Sequence, residues 1–196
     1  DIAPIYRSDG SGTNFLFTNY LSQGSPAFAK QIGANTSVQW PVGIGAKGNE
    51  GVANQATQTS GAIGYVEYAY VKQTSMTYAK LRNRDGAVVV PDAKAFQAAA
   101  ANADWAKAEG YYLILTNQPG AASWPITGAS FILVHADSKD KSTADALKFF
   151  DWAFSKGQTL AEGLDYVPLP VAVVKLVEKT WQDSVKVDGK PVWTAK

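Results

Sequence analysis

The chain has 196 residues, of which 46% are apolar and 12% aromatic, and this composition is sufficient to bury a core. It contains no cysteine, which excludes disulfides. Eighteen basic and seventeen acidic side chains are mixed along the sequence and leave a formal net charge of +1. A chain without a strong positive field is not expected to bind nucleic acid.

The first predicted elements are a strand over residues 2–7 and a helix over residues 12–22. The sequence between them reads Arg-Ser-Asp-Gly-Ser-Gly-Thr and places hydroxyl and glycine residues where the helix begins. The first amide N–H groups of a helix lack carbonyl partners, and the helix dipole adds a partial positive charge there. Such a helix start is able to bind a phosphate, sulfate or carboxylate.

The side chains of this motif suit an anion. Arg7 can hold two oxyanion oxygens with one planar guanidinium, and Ser11 and Thr13 can donate hydroxyls. Gly12 lets a ligand oxygen approach the backbone. Asp9 would repel a free anion, and we therefore expect it to accept a hydrogen bond from Arg7 and to fix the guanidinium plane. The alternative is an ordinary polar turn with Ser11 or Thr13 as an N-cap.

Strands and helices alternate along the rest of the chain, which predicts a layered α/β fold. The predicted strands cover residues 38–42, 62–66, 78–81, 87–90, 124–126 and 129–134. The strands over 78–81 and 87–90, joined through Asp85 and Gly86, are predicted to form a hairpin. The predicted helices cover residues 49–58, 92–103 with Asp92 as N-cap, 142–154 with Ser142 or Thr143 as N-cap, and 170–181, followed by a polar tail.

Three other features could carry chemistry. Gly43, Gly45 and Gly48 satisfy a dinucleotide-binding glycine pattern, but Pro41 interrupts the preceding strand, which favours a structural glycine loop. His135 is the sole histidine, and its position favours a strand end over catalysis. Glu67 is expected to cap the helix that follows it. With one histidine and no cysteine, neither a zinc site nor any other metal site is expected.

Five sequence blocks in constant order extend the signal over most of the chain. They are RSDGSGTNFLFTNYL, WPVGIGAKGNEGVA, GAIGYVEYAY, WPITGASFILVH and LKFFDWAFSKG. With these blocks the chain resembles the PstS-type phosphate-binding receptors of bacterial phosphate-specific ABC transporters. The resemblance implies an α/β, periplasmic-binding-protein-like (type II) fold with two lobes that close on inorganic phosphate.

The resemblance also implies function and partners. We expect a receptor in the bacterial periplasm or cell envelope that delivers phosphate to the membrane subunits of an ABC permease, without catalysis and without a cofactor. Arg7, Ser11, Gly12 and Thr13 match the phosphate contacts of the family, and Asp9 matches the carboxylate that orients the arginine.

Relative to that family, the chain lacks the amino-terminal segments of both lobes. Residues 1–125 correspond to most of the second lobe, and residues 126–196 correspond to the part that returns to the first lobe. The missing amino-terminal part is therefore an expected partner, and it would supply the carboxylate that accepts the proton of hydrogen phosphate.

An enzyme is the alternative function. In that interpretation the loop from Arg7 to Thr13 would hold the phosphoryl group of a phosphate ester or a nucleotide. The anion site alone does not separate capture from turnover.

Overall fold

A three-stranded parallel sheet forms the centre of the amino-terminal part in the computed structural model, which describes residues 1–194. Strand β1 (Ala3–Arg7) lies between β2 (Ile44–Ala46) and β3 (Ala62–Gly64). In register, Arg7 pairs with Ala46, and Ile5 pairs with Gly64. The apolar side chain of Ile5 is 1% exposed and anchors the central strand in the core.

Each strand of this sheet is followed by a helix. Helices α1 (Gly12–Gly24) and α2 (Pro26–Gln31) follow β1, α3 (Gly48–Gln58) follows β2, and α4 (Tyr68–Gln73) follows β3. Because the strands are parallel, α1, α3 and α4 begin at the same edge. The chain moves from β1 to one neighbour and then crosses to the other, so the right-handed crossover rule sends the connecting helices to opposite faces. Where consecutive connections lie on opposite faces of a parallel sheet, a crevice opens at the carboxyl ends of the strands.

The middle of the chain forms a hairpin and a capped helix. Strands β4 (Leu81–Arg82) and β5 (Val88–Val89) pair antiparallel. Helix α5 (Ala93–Ala101) begins after Asp92, whose carboxylate accepts a 2.8 Å hydrogen bond from the amide of Ala95. Two short 3₁₀ turns and an isolated bridge between Thr116 and Ile126 follow.

The carboxyl-terminal part has its own small sheet of order β6-β7-β8. Its elements are β6 (Asp137–Ser138), α6 (Ser142–Ser155), α7 (Gln158–Gly163), α8 (Val171–Ser184), β7 (Lys186–Val187) and β8 (Lys190–Pro191). No helix within residues 1–194 combines the length and the apolar character that crossing a membrane requires.

Two apolar clusters involve α8. One joins Val173 to Trp105, Leu115 and the end of α5, and the hydroxyl of Tyr111 donates a 2.8 Å hydrogen bond to the carbonyl of Leu176. The other contains Leu147, Trp181, Val185 and Trp193. Helix α8 therefore packs both on the middle of the chain and on α6.

Several predicted elements are confirmed, and others are wrong. The strand before the motif, the helix after it, the helix over 49–58, the Asp92 cap and the helix near 170–181 are present. The hairpin is present with shorter strands, and the polar tail contains β7 and β8. Helix α4 follows Glu67 as expected, whereas helices α2 and α7 were not predicted.

The strand predicted over residues 38–42 is wrong, because β2 lies within the glycine loop that follows it. Glycine permits the close approach that this pairing requires. Gly43 has a φ of +110°, and a Cβ there would lie 2.4 Å from the carbonyl oxygen of Pro4. Residues 38–42 instead bring Trp40 onto the ring of Tyr6, with ring centroids 5.7 Å apart.

The strand predicted over residues 129–134 is also wrong. No described residue pairs with this segment, and Leu133 is 95% exposed. The predicted cap of α6 by Ser142 or Thr143 is wrong as well, because Ser142 is already helical and its amide donates to the carboxylate of Asp140. The apolar pattern of residues 129–134 predicts a strand, but a strand also needs a partner strand, which local sequence does not specify.

Candidate functional site

The loop between β1 and α1 is held from three directions. The amide of Ser8 donates to the carbonyl of Ala46 at 3.0 Å, which extends the pairing of β1 with β2. Ser11 is the N-cap of α1, and its hydroxyl oxygen accepts from the amide of Asn14 at 3.2 Å. The amide of Ser11 donates to the carbonyl of Thr36 at 2.9 Å. The start of α1 is therefore fixed by both strand and loop contacts.

Arg7 and Asp9 form a two-point ion pair. The Nε and Nη2 groups of Arg7 each donate a 2.8 Å hydrogen bond to the carboxylate of Asp9. The Arg7 side chain is 10% exposed and that of Asp9 is 31% exposed, so the arginine is shielded from water more than the carboxylate. Asp9 also accepts a 3.1 Å hydrogen bond from the amide of Gly48, the first residue of α3. One carboxylate thus joins the arginine to the start of a second helix.

These contacts shift the pKa of each side chain so that its charged form is favoured. Hydrogen bonding to Arg7, followed by the bond from Gly48, holds the pKa of Asp9 far below its ordinary value. The hydrogen bond to Asp9 raises the pKa of Arg7 despite some opposing desolvation. Both side chains therefore stay charged at neutral pH, at which phosphate is an anion.

Several donors around this loop have no partner within residues 1–194. The amides of Gly12 and Thr13 precede the first intrahelical bond of α1, and neither donates to a described residue. The Nη1 group of Arg7 is not used by Asp9. The hydroxyl proton of Ser11 is free to donate, because its oxygen is the acceptor in the cap. Backbone amides, a guanidinium and hydroxyls in one loop can bind an oxyanion.

All five residues singled out from the sequence lie in this loop. Arg7 ends β1, Asp9 pairs with it, Ser11 caps α1, and Gly12 and Thr13 begin the helix. Gly12 is exposed and Thr13 is half-buried. Their roles toward phosphate remain predictions.

Sequence reasoning missed three residues that complete the loop. Gly48 supplies an amide to Asp9, Asn14 supplies the amide that closes the cap, and Tyr65 contacts both sides of the loop. Asn14 lies three residues after Ser11, at the usual N-cap spacing, whereas the contacts of Gly48 and Tyr65 join positions 39 to 58 residues apart and have no local pattern. The run Gly-Ala-Ile-Gly-Tyr predicts a strand and belongs to a block of the family resemblance, but neither interpretation assigns Tyr65 a contact with the loop.

An aromatic layer packs between α1, α2 and the loop before β2. The ring of Phe17 stacks on that of Tyr65 with centroids 4.2 Å apart and planes inclined by 15°. Trp40 lies at the centre of the layer, which contains Tyr6, Phe17, Phe28, Trp40 and Tyr65. The layer fixes how α1 sits on the sheet.

The remaining candidates do not form a second site. Gly43 and Gly45 of the glycine triplet pack against β1, as the structural interpretation expected, with Gly45 near the ring of Tyr6. His135 is exposed and lies outside any strand. Glu67 occupies the N-cap position of α4, but its side chain makes no capping hydrogen bond.

The fold and the loop define an α/β protein with a helix start and an arginine at the carboxyl edge of a parallel sheet. Residues 1–156 match the PBP superfamily domain. The chain therefore belongs to the PBP superfamily.

Curated relatives carry a more specific name. The chain is 50% identical over 194 residues to the phosphate-binding protein PstS of Pasteurella multocida, an alignment that covers 98% of this chain and 56% of the relative. It is 50% identical over 183 residues to PstS of Xylella fastidiosa, covering 93% of this chain and 50% of the relative. The chain thus spans about half the length of the curated relatives it matches.

Solved structures agree on the fold. A DING protein matches with a TM-score of 0.63 at 16% identity, over 99% of this chain and 64% of that one. A high-affinity periplasmic phosphate-binding protein solved with phosphate matches with a TM-score of 0.60 at 18% identity, over 91% of this chain and 57% of that one.

Proposed function

We propose that this chain binds inorganic phosphate at the start of α1, with Arg7, Ser11, Gly12 and Thr13 as ligands and Asp9 as the group that orients Arg7. One observation carries the proposal. Asp9 occupies only the Nε and Nη2 donors of Arg7, in the same loop in which the amides of Gly12 and Thr13 are unpaired. The PstS name of relatives at 50% identity supports phosphate as the anion.

Selectivity for phosphate needs a group outside this loop. Hydrogen phosphate carries a proton and sulfate does not, so a carboxylate acceptor favours phosphate. Asp9 is not available for this task, because its oxygens already accept from Arg7 and Gly48. We infer that the acceptor belongs to an amino-terminal part of the receptor, which completes the cleft.

The same proposal divides the chain between two lobes. Residues 1–125 form most of the second lobe around the first sheet, and residues 126–196 belong to the first lobe. The separate sheet formed by β6, β7 and β8 and the exposed apolar run at residues 131–134 support this division. In the complete receptor, that run pairs with a strand of the amino-terminal part.

We further propose that the receptor works in the bacterial periplasm and passes phosphate to the membrane subunits of an ABC permease. It captures the anion without turnover. The solved phosphate-bound neighbour described as periplasmic supports the compartment. The names of the curated relatives support binding over catalysis.

Isothermal titration calorimetry tests the proposal. Each charge-assisted hydrogen bond contributes about 1.5 to 3 kcal/mol, whereas micromolar binding needs about 8 kcal/mol after ordering costs. We expect weak or undetectable phosphate binding by the 196-residue chain. We expect micromolar or tighter binding by the joined protein, defined as this chain fused behind the amino-terminal part of the Pasteurella multocida relative. Equally tight binding by the chain alone would contradict the shared cleft.

A chromogenic phosphate ester separates capture from the enzyme alternative. We expect one phosphate bound per joined protein and no ester turnover. Turnover that Arg7→Ala abolishes would favour the enzyme.

A further inference from the structure

The hydroxyl of Tyr65 joins the two ends of the anion-binding loop. Tyr65 directly follows β3, at the edge of the sheet where Arg7 ends β1. Its hydroxyl oxygen accepts a 3.1 Å hydrogen bond from the backbone amide of Arg7. The same hydroxyl donates a 2.5 Å hydrogen bond to Oδ1 of Asn14, in the first turn of α1. A single oxygen thus links the arginine position to the helix start.

The buried side chain of Asn14 fixes the direction of these bonds. Asn14 is 0% exposed, and its Nδ2 group donates to the carbonyl of Asn35 at 2.9 Å. Its Oδ1 atom therefore faces Tyr65 as an acceptor, and the tyrosine must be the donor. The lone pairs of the tyrosine oxygen are then left to accept from Arg7. Every member of this small network has a partner.

The tyrosine ring is held independently of its hydroxyl. It stacks on Phe17, which lies one turn beyond Asn14 on α1, at a centroid distance of 4.2 Å. Burial raises the pKa of Tyr65, so the hydroxyl keeps the proton that it donates. Removing the hydroxyl alone would leave the stacked ring in place and two polar groups of the loop unpaired.

We propose that Tyr65 is a positioning residue of the anion site: its hydroxyl sets the separation between Arg7 and the first turn of α1, so that the guanidinium and the amides of Gly12 and Thr13 reach one oxyanion together. The inference rests on the proposed phosphate binding. Tyr65 does not touch the anion in this arrangement. It acts through Arg7 and Asn14.

Calorimetric titration of the joined protein with inorganic phosphate tests the inference. Tyr65→Phe is expected to lower phosphate affinity about tenfold, because misplaced donors lose charge-assisted hydrogen bonds. Asn14→Ser removes the acceptor of the same bond and is expected to give a loss within about threefold of that value. Tyr78→Phe is the matched control, since its hydroxyl has no hydrogen bond within the described part of the chain and its ring packs on Tyr68.

Two further variants separate positioning from a general loss of stability. Val185→Ala destabilises a cluster that contains neither Arg7 nor Tyr65 and should leave phosphate affinity unchanged. If Tyr65 acts through Arg7, Tyr65→Phe should lower phosphate affinity by no more than about threefold in an Arg7→Lys background. In that background the two-point pairing of the guanidinium with Asp9 is already lost. A purely structural effect would be additive.

The outcomes are distinct. Wild-type affinity in Tyr65→Phe or Asn14→Ser, or an equal loss in the Arg7→Lys background, overturns the inference and leaves phosphate binding intact. Absence of phosphate binding by the parent joined protein overturns the proposed function and the inference with it.

Discussion

The carboxylate of Asp9 holds the guanidinium of Arg7 by two hydrogen bonds of 2.8 Å and also accepts the amide of Gly48. The carboxylate uses the Nε and Nη2 donors of Arg7 and leaves the Nη1 group and the amides that begin α1 available. The two bonds fix the plane of the guanidinium. Under the proposed function, we therefore expect anion binding to depend on the geometry of Arg7 and not only on its charge.

Arg7→Lys is predicted to weaken phosphate binding by the joined protein about 10- to 100-fold, because an ammonium group cannot reproduce the planar two-point pairing. Calorimetry measures the affinity, and thermal unfolding measures stability. Arg84→Lys is the control, since Arg84 is exposed on the hairpin turn. An Arg7→Lys variant with wild-type affinity would show that charge alone suffices.

Asp9→Asn is predicted to lower the melting temperature of the chain in a pH-dependent way. The folded-state pKa of Asp9 is depressed, so its stabilising contribution is present above the unfolded pKa of about 3.9 and is lost as the pH falls toward the folded-state pKa. The difference between wild type and variant should be constant from pH 7 to pH 5 and should shrink below about pH 4.

The control for this pH dependence is Asp145→Asn, which removes an exposed carboxylate paired with Lys148 on the same helix. Exposed pairs contribute little to stability, so this variant should melt as the wild type does. If the melting-temperature difference between wild type and Asp9→Asn grew as the pH fell, the lowered folded-state pKa of Asp9 would be contradicted.

Ser11→Ala is predicted to lower both stability, by about 1 kcal/mol, and phosphate affinity, because it removes an N-cap and a free hydroxyl donor together. Ser25→Ala provides a closely matched comparison. Ser25 caps α2 with the same 3.2 Å bond to the amide three residues later, but it lies outside the anion loop. Denaturant unfolding and calorimetry should show a similar stability loss for both variants and an affinity loss for Ser11→Ala alone.

The exposed apolar run at residues 131–134 is predicted to become buried in the joined protein. Leu133→Asp should leave the melting temperature of the chain alone unchanged, since Leu133 is 95% exposed there. In the joined protein it should lower the melting temperature by at least about 4 °C, because a charge would enter a buried strand. Leu164→Asp, at a residue 68% exposed outside this run, is the control. Equal effects on both proteins would argue against burial by the amino-terminal part.

Much of the fold and part of the site are readable from local pattern. The strand before Arg7, helix α1 and the Asp92 cap follow from alternation, helical spacing and capping chemistry. The ion pair between Arg7 and Asp9 connects side chains two positions apart, so sequence could suggest it.

What sequence could not supply depends on distant partners. Strand β2 lies among glycines whose strand-forming tendency is low, and it exists because β1 pairs with it. The residues 129–134 have the apolar character of a strand but no pairing edge among the described residues. The contact of Tyr65 with Arg7 spans 58 positions and has no local signature.

The central claim is that an oxyanion binds at the start of α1, and amide correlation spectra of the nitrogen-labelled joined protein during a phosphate titration test it most directly. We predict that the amide signals of Gly12 and Thr13 move downfield and saturate at one phosphate per protein, since hydrogen bonding to an anion deshields the amide proton. Saturable binding that leaves both signals in place, while amides elsewhere respond, would contradict the assignment of the site.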